Sequence, residues 1–171
     1  MNDSLKSKLF VASQFALLLL LVLWPSQKAG FGFLDFLFEF IGVMFTFIGL
    51  GVVVFAVRAL IMESLPKFAG SQDKKFLAAL RVVFPEPAED AKLLQTGLYS
   101  RMRHPIYAGL IWMGYGIGIA GGPVPHLLFA VGLHAVLHYK SIHEEKFLAK
   151  KFRGYKKYAA TAGRFFPRSE D

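Results

Sequence analysis

Cysteine is absent from all 171 residues, which removes disulfides, thiolate zinc sites, iron–sulfur clusters and cysteine nucleophiles from consideration. Charge is sparse too. Asp, Glu, Lys and Arg together make up 19% of the chain, against about a quarter in soluble domains. There is no alternating strand pattern, no internal repeat and no low-complexity tract. Any chemistry must therefore use oxygen, nitrogen or a borrowed cofactor.

What is plentiful is apolar side chain. Hydrophobic residues are 54% of the sequence and 18 residues are Phe, more than the core of a soluble domain this size can hide. Lipid relieves that constraint, and the runs are placed accordingly. Leu9 to Trp24 carries no charge; it follows Lys6 and Lys8 and is closed by Pro25. A signal peptide has the same basic start, but the residues from Pro25 to Gly30 offer no clear small-x-small cleavage site, so a retained anchor is expected. Phe40 to Val57 is a second uncharged run, extended by Phe36–Glu39 and Arg58–Met62 to roughly the 20 residues that a spanning helix needs. A third begins at Pro105 and reaches Pro125, where Gly121-Gly122-Pro123-Val124-Pro125 is a turn signal. Leu127 to Tyr139 is the fourth, and the last two read as a short helical hairpin whose mismatch is absorbed by tilt and thinning. Only helices close their own backbone hydrogen bonds within each such segment in lipid.

The expected fold is thus all-α, an integral membrane protein with about four transmembrane helices and cytoplasmic interfacial helices. It divides into two N-terminal spans (1–62), a connector (63–94) and a core (95–168). In the connector, Phe76, Leu77, Leu80, Arg81, Val83 and Phe84 form an amphipathic stretch suited to the inner leaflet or to a flap, followed by an acidic run from Glu86 to Asp90.

The formal net charge of +8 suggests nucleic acid or a membrane surface until its placement is counted. Two of the 20 Lys and Arg lie in residues 1–8, one is Lys28, eight lie between Arg58 and Arg103, none is in the Gly121–Pro125 turn, and nine run from Lys140 to Arg168. Such one-sidedness keeps both termini and the connector cytoplasmic. The charge is mostly topology, and no nucleic-acid partner is expected. With no lumenal or organelle address, a bacterial inner membrane is the expected location.

Two segments flanking the hairpin hold the polar groups that look placed for a purpose. The first is Gln95-Thr-Gly97-Leu-Tyr99-Ser-Arg101-Met-Arg103-His104-Pro105-Ile-Tyr107-Ala-Gly109. Pro105 suits a first helical position, which sets Arg103 and His104 at a helix mouth favourable to anions. Arg103 then either grips a carboxylate or phosphate or snorkels as a topology anchor, with Tyr107 an interfacial aromatic. The second segment, His143 to Tyr158, contains Glu144 and Glu145. If the fourth helix continues unbroken, Glu144, Leu148, Phe152, Tyr155 and Ala159 form one stripe, and Glu145 continues the His134, His138, Ser141 face. A carboxylate heading an apolar stripe demands a cation or several donors, unless the pair merely makes surface ion pairs with the basic cluster behind it.

RHPIYAG at Arg103–Gly109, introduced by TGLY, then the short hairpin, Glu144-Glu145 with Leu148 and Phe152, and Arg164-Phe-Phe-Pro167 resemble the membrane methyltransferases of the isoprenylcysteine carboxyl methyltransferase and phospholipid methyltransferase group. The resemblance covers residues 95–167. It implies that both motifs enclose S-adenosyl-L-methionine on the cytoplasmic side. His104, Pro105 and Tyr107 would line the pocket, Glu144 and Glu145 would hold the polar end, and Arg164 matches an arginine near the group's C-terminal Pro. Arg153-Gly154 departs from the Phe-Gly of many members.

The residue types agree with that implication. Methyl transfer from a sulfonium is an in-line displacement needing alignment and dryness, not a metal or a thiol. An arginine suits the cofactor's carboxylate, a glutamate its ammonium or ribose hydroxyls, and aromatic faces its adenine or sulfonium. Arg103, Glu144, Glu145, Tyr99, Tyr107 and Tyr155 supply them. We expect Glu144, Glu145 and His104 to fix the cofactor, and Arg103 or Arg164 to position a carboxylate or phosphate of a lipophilic acceptor. That acceptor is a prenylated thiol's carboxylate, an amine lipid headgroup, or a small hydrophobic thiol or amine.

Other signals are weaker. His134 and His138 stand at i, i+4, but five His in the chain are too few for a histidine-box di-metal site, so packing or interhelical hydrogen bonding is expected. Gly114, Gly118 and Gly122 mark close helix packing, to the fourth span or to a second protomer, leaving monomer and homodimer both open. The alternatives to a methyltransferase are a sterol-reductase-like nicotinamide enzyme and a non-catalytic membrane scaffold.

Overall fold

Proline-free apolar runs become the first two long helices. In the computed structural model, which describes residues 2–27, 30–64, 92–122 and 124–168, α1 spans Asp3–Leu23 and α2 spans Phe33–Ala59, with a π-helical turn Leu60–Ser64 behind it. The short α3 (Leu98–Arg101) leads into α4 (Pro105–Gly121), α5 (Pro125–Lys151) and α6 (Tyr155–Thr161). Among the described residues there is no strand, only an isolated parallel bridge between Met102 and Gly163. The amphipathic stretch expected over 76–84, the acidic run behind it and Lys28 lie outside the described residues.

The all-α expectation holds. Two stretches, Asp3–Leu23 and Phe33–Glu63, are long and apolar enough to cross a membrane; α4 has 17 residues, and α5 carries histidines, lysines and glutamates along its length. Both N-terminal helices extend beyond the uncharged runs, because Lys6 and Lys8 at one end and Phe33 to Glu39 at the other are good enough helix formers to continue them. Phe47 and Phe55 on α2 are 67% and 65% exposed, as side chains facing lipid would be.

Each N-terminal helix buries one residue in seven. On α1 these are Ser7, Gln14 and Leu21; on α2 they are Gly42, Gly49 and Ala56. The α2 stripe lies on α4 with backbone against backbone: a Cβ at Gly42 would come within 2.5 Å of the Gly116 carbonyl oxygen, and one at Gly49 within 2.5 Å of the Gly109 carbonyl oxygen. No side chain larger than hydrogen fits there. The other face of α4 carries Gly114 and Gly118, which meet Leu133 and Leu21, and Leu127 and Ala130, respectively. The glycine ridge expected on the third span therefore packs on the fourth. Gly122, at φ +110°, turns the chain against the Gln27 carbonyl.

The unbroken continuation of the fourth helix is the one fold expectation that the structure corrects. The helix stops at Lys151 because Phe152 turns extended (φ −112°, ψ 111°), and α6 starts at Tyr155 after Gly154. Glu144, Leu148, Phe152, Tyr155 and Ala159 therefore do not share one helix face. The break folds α6 back, so that Leu148, Phe152 and Ala159 pack against buried Tyr155, Tyr158 and Ala162.

Candidate active site

Pro105 organises the first half of the site. Its ring disfavours helix at the residue before it, so His104 is held at φ −125°, ψ 61°, and Met102 is extended. An extended backbone needs partners for its amides, and the chain after α6 provides them. Arg103 N–H donates to the Gly163 carbonyl at 2.8 Å, His104 N–H to that of Arg164 at 3.0 Å, and Gly163 N–H to that of Arg101 at 3.0 Å. The C-terminal strap is thereby sewn onto the segment that opens α4. The Arg103 guanidinium completes the seam: its Nη1 donates to the carbonyls of Ala159, at 2.9 Å, and Ala162, which the end of α6 leaves without helical partners.

The second half arrives on α5. Glu145 accepts from Arg103 Nε at 3.0 Å and lies 3.1 Å from His104 Nε2 through one oxygen, and accepts from Arg164 Nη2 at 3.0 Å through the other. The anion expected at the mouth of α4 is thus the protein's own. Burial resists ionisation of this carboxyl, but the hydrogen bond and charge of His104, with the charge and hydrogen bond of Arg103, outweigh it and hold the group down at about 2.

Glu144 is placed differently. Its Oε2 accepts from the Tyr107 hydroxyl at 2.9 Å and lies 3.6 Å from His104 Nδ1. The His104 and Tyr107 rings are stacked, 5.4 Å apart and 5° from parallel. His104 therefore has a carboxylate before each ring nitrogen and acts as the tie between the two glutamates.

The structure thus brings together six of the expected residues: Arg103, His104, Tyr107, Glu144, Glu145 and Arg164. Pro105 is fully buried beneath them. Tyr99 stands behind the cluster, where its hydroxyl donates to the Ala56 carbonyl at 3.4 Å and its own carbonyl accepts from Tyr158 Oη at 2.6 Å. Tyr155 is buried with its hydroxyl lacking a hydrogen-bond partner; burial and the nearby Glu145 carboxylate push its ionisation well above the ordinary phenol range. Burial also raises Tyr158, to about 12. Arg103 turns inward, 12% exposed at its side chain, and the carboxylate it grips is the protein's own Glu145.

Further residues stand around the cluster. Phe165 packs against His104, His134 and His138. His134 Nδ1 is also 3.1 Å from the Tyr115 hydroxyl, so the i, i+4 pair serves packing and interhelical bonding as expected. Lys140 reads in the sequence as one more cytoplasmic charge, yet its side chain is fully buried. A cavity of about 340 Å³ lies at the far end of the bundle, bordered by Gln27, Phe31, Asp35, Glu39, Gly118 and Leu127, and none of the clustered residues reaches it.

Residues 37–154 match the family model described as phospholipid methyltransferase, a segment that contains α2 from its fifth residue onward, the Arg103–Gly109 motif and the glutamate pair but stops short of Arg164. No curated protein matches the chain.

Proposed function

The chain belongs to the phospholipid methyltransferase family, and from that premise we propose that it transfers a methyl group from S-adenosyl-L-methionine to a lipophilic acceptor at the cytoplasmic face of a membrane. The observation that carries this reading is the unequal partnering of the two glutamates. Glu145 is matched by Arg103, Arg164 and His104, whereas Glu144 meets a phenol and one edge of the same imidazole. Glu144 therefore keeps negative charge for a cationic ligand, and a sulfonium amino acid is one.

The residues fit the cofactor. Glu144 suits its ammonium or ribose hydroxyls, the orphaned Tyr155 hydroxyl suits any of its polar atoms, and the stacked Tyr107 and His104 rings offer aromatic faces. When bound, S-adenosyl-L-methionine would supply an electrophilic methyl on sulfur for an in-line acceptor lone pair, with the neutral thioether as the leaving group. The protein's task is to hold and to dry. Glu145 fixes Arg103 and Arg164, Arg103 locks the strap over the opening of α4, and Tyr107 orients Glu144. Arg164, 27% exposed at its side chain and the most open of the cations on Glu145, meets a phosphate or carboxylate of the acceptor.

The membrane placement follows the charge count: four spans, α4 reaching roughly 26 Å at 1.5 Å per residue, with both termini and the site on the cytoplasmic side of a bacterial inner membrane. An amine lipid headgroup is the acceptor class nearest the family's description; an isoprenylcysteine carboxylate and small hydrophobic thiols or amines are the others. Titrating purified protein with S-adenosylmethionine, S-adenosylhomocysteine and reduced nicotinamide cofactors tests the reading. Binding of the first two alone supports it. Binding of neither overturns it, and binding of the nicotinamides redirects it to reduction. Incubating a lipid extract with isotopically labelled S-adenosylmethionine then identifies the acceptor.

A further inference from the structure

Lys140 has no exposed surface. Its Nζ donates to Gln14 Oε1 of α1 at 2.7 Å and stands 5.1 Å from the centroid of the Tyr107 ring. The hydroxyl of that ring is the one bonded to Glu144, and Lys140 and Glu144 stand four residues apart on α5, one above the other. An ammonium beneath the face of a phenol is attracted to the ring and draws electron density from its hydroxyl, which makes it a better donor to the carboxylate. The contacts therefore run unbroken from the middle of α1 to the glutamate with charge to spare.

A buried ammonium is an expensive way to join two helices. An apolar side chain would pack α1 on α5 without the desolvation cost, as Leu21 and Leu133 already do nearby in the core. What an apolar side chain would not supply is a cation facing the Tyr107 ring, one turn from Glu144. We propose that Lys140, held by Gln14, is a positioning residue that sets the Tyr107 hydroxyl and through it Glu144 for the cofactor's cationic end; this rests on the methyl-transfer reading above. It also gives α1 a part in the site that its hydrophobicity does not announce.

The experiment uses full-length protein in lipid nanodiscs, with Lys140→Met, Gln14→Leu, Tyr107→Phe and the Lys140→Met/Tyr107→Phe double variant. S-adenosylhomocysteine affinity is measured by calorimetry, and the ring-Cζ resonance of Tyr107, assigned from Tyr107→Phe, is followed by NMR in protein without ligand. Lys140→Met should weaken affinity by about tenfold, as loss of one charge-assisted contact does. Tyr107→Phe should do the same, and the double variant should be no weaker than the worse single one. The Tyr107 resonance should move in Lys140→Met and, by less, in Gln14→Leu. If Lys140→Met does not fold, Gln14→Leu loosens the same lysine and carries both readouts. A lowered melting temperature with unchanged affinity, additive losses in the double variant, or an unmoved resonance would each overturn the proposal. Failure of the unaltered protein to bind S-adenosylhomocysteine removes the methyl-donor reading instead, while the resonance still reports whether Lys140 acts on Tyr107.

Discussion

The two N-terminal helices use the same spacing and opposite chemistry. On α1 the buried positions are Ser7, Gln14 and Leu21, and two of them reach α5 through side-chain contacts: Gln14 to Lys140 at 2.7 Å and Ser7 to His143 Nε2 at 3.2 Å. On α2 they are Gly42, Gly49 and Ala56, and the contact with α4 is backbone on backbone. Each therefore carries one half of the site. The α2 stripe fixes α4, at whose start Arg103 and His104 lie, and the α1 stripe fixes α5, which bears Glu144 and Glu145. Glycine contacts set distance and tolerate no substitution. Hydrogen-bonded contacts set rotation and degrade by degrees.

The glycine stripe is where the largest effect is expected. Gly49→Val puts its Cβ within 2.5 Å of the Gly109 carbonyl oxygen and 2.7 Å of the Met113 amide nitrogen, atoms that move only if the helices separate. The cost exceeds the roughly 1 to 3 kcal/mol of ordinary overpacking, and detergent-solubilised Gly49→Val should fail to elute as a monodisperse species. Gly51, two residues along the same helix, has nothing within 4 Å of an added Cβ. Gly51→Ala should elute and melt like the unaltered protein, or slightly higher, since alanine is the better helix former. Equal behaviour of the two variants would show that α2 and α4 are not packed through glycine.

Next in size is the junction where the halves meet. Glu145→Gln leaves Arg103, His104 and Arg164 facing an amide in a partly buried place. Breaking a fully buried pair costs about 3 to 5 kcal/mol, and partial exposure reduces this to roughly 2 kcal/mol. The pH dependence has a definite sign. Because folding lowers this carboxyl from 4.5 to about 2, its contribution is complete above pH 4.5 and is lost as pH falls from there toward 2. The melting temperature of the unaltered protein should drop across that window, and the Glu145→Gln variant should lack that part of the drop. Parallel curves would disconnect Glu145 from stability.

These two regions also show what could be read in advance. The hairpin and Pro105 as a helix start were legible because short-range chemistry sets them, a turn of glycines and a missing N–H, whereas the meeting of the Arg103 segment with the glutamate pair, 42 residues apart, was implied by the family resemblance alone. The stripe on α2 was not, since glycines at 42 and 49 in an apolar run read only as hydrophobicity until the spacing of Gly109 and Gly116 on α4 is set beside them. The break after Lys151 was hidden too, because Phe152 is extended only where the chain turns back to seat Tyr155 and Tyr158. Lys140 looked like topology because sequence position says which end of a helix a charge is near, but not which face it takes.

A smaller effect tests the seam that closes the site without entering it. The Tyr158 hydroxyl donates to the Tyr99 carbonyl at 2.6 Å, tying α6 to α3. Tyr158→Phe removes one buried hydrogen bond and leaves a carbonyl unpaired, a loss of about 1 to 2 kcal/mol. The melting temperature should fall by a few degrees, with S-adenosylhomocysteine affinity nearly unchanged, because the ring still fills its place beside Tyr155. A large loss of affinity would mean that the strap, rather than the glutamates, governs the ligand.

The smallest effect belongs to the α1 stripe at its outermost contact. Ser7→Ala removes the hydroxyl facing His143, but this hydroxyl also donates to the Asp3 carbonyl within its own helix at 3.0 Å, and alanine propagates that helix better than serine does. The two changes nearly offset, so thermal unfolding should shift by no more than the equivalent of about 0.5 kcal/mol. The contrast with Gly49→Val is then complete: buried positions on helices of the same bundle are nearly indifferent to the loss of a hydroxyl on α1 and intolerant of a small side chain on α2. A Ser7→Ala loss as large as that of Glu145→Gln would mean that α1 holds α5 through Ser7 and not through Gln14, and the path from α1 to Tyr107 would have to be redrawn.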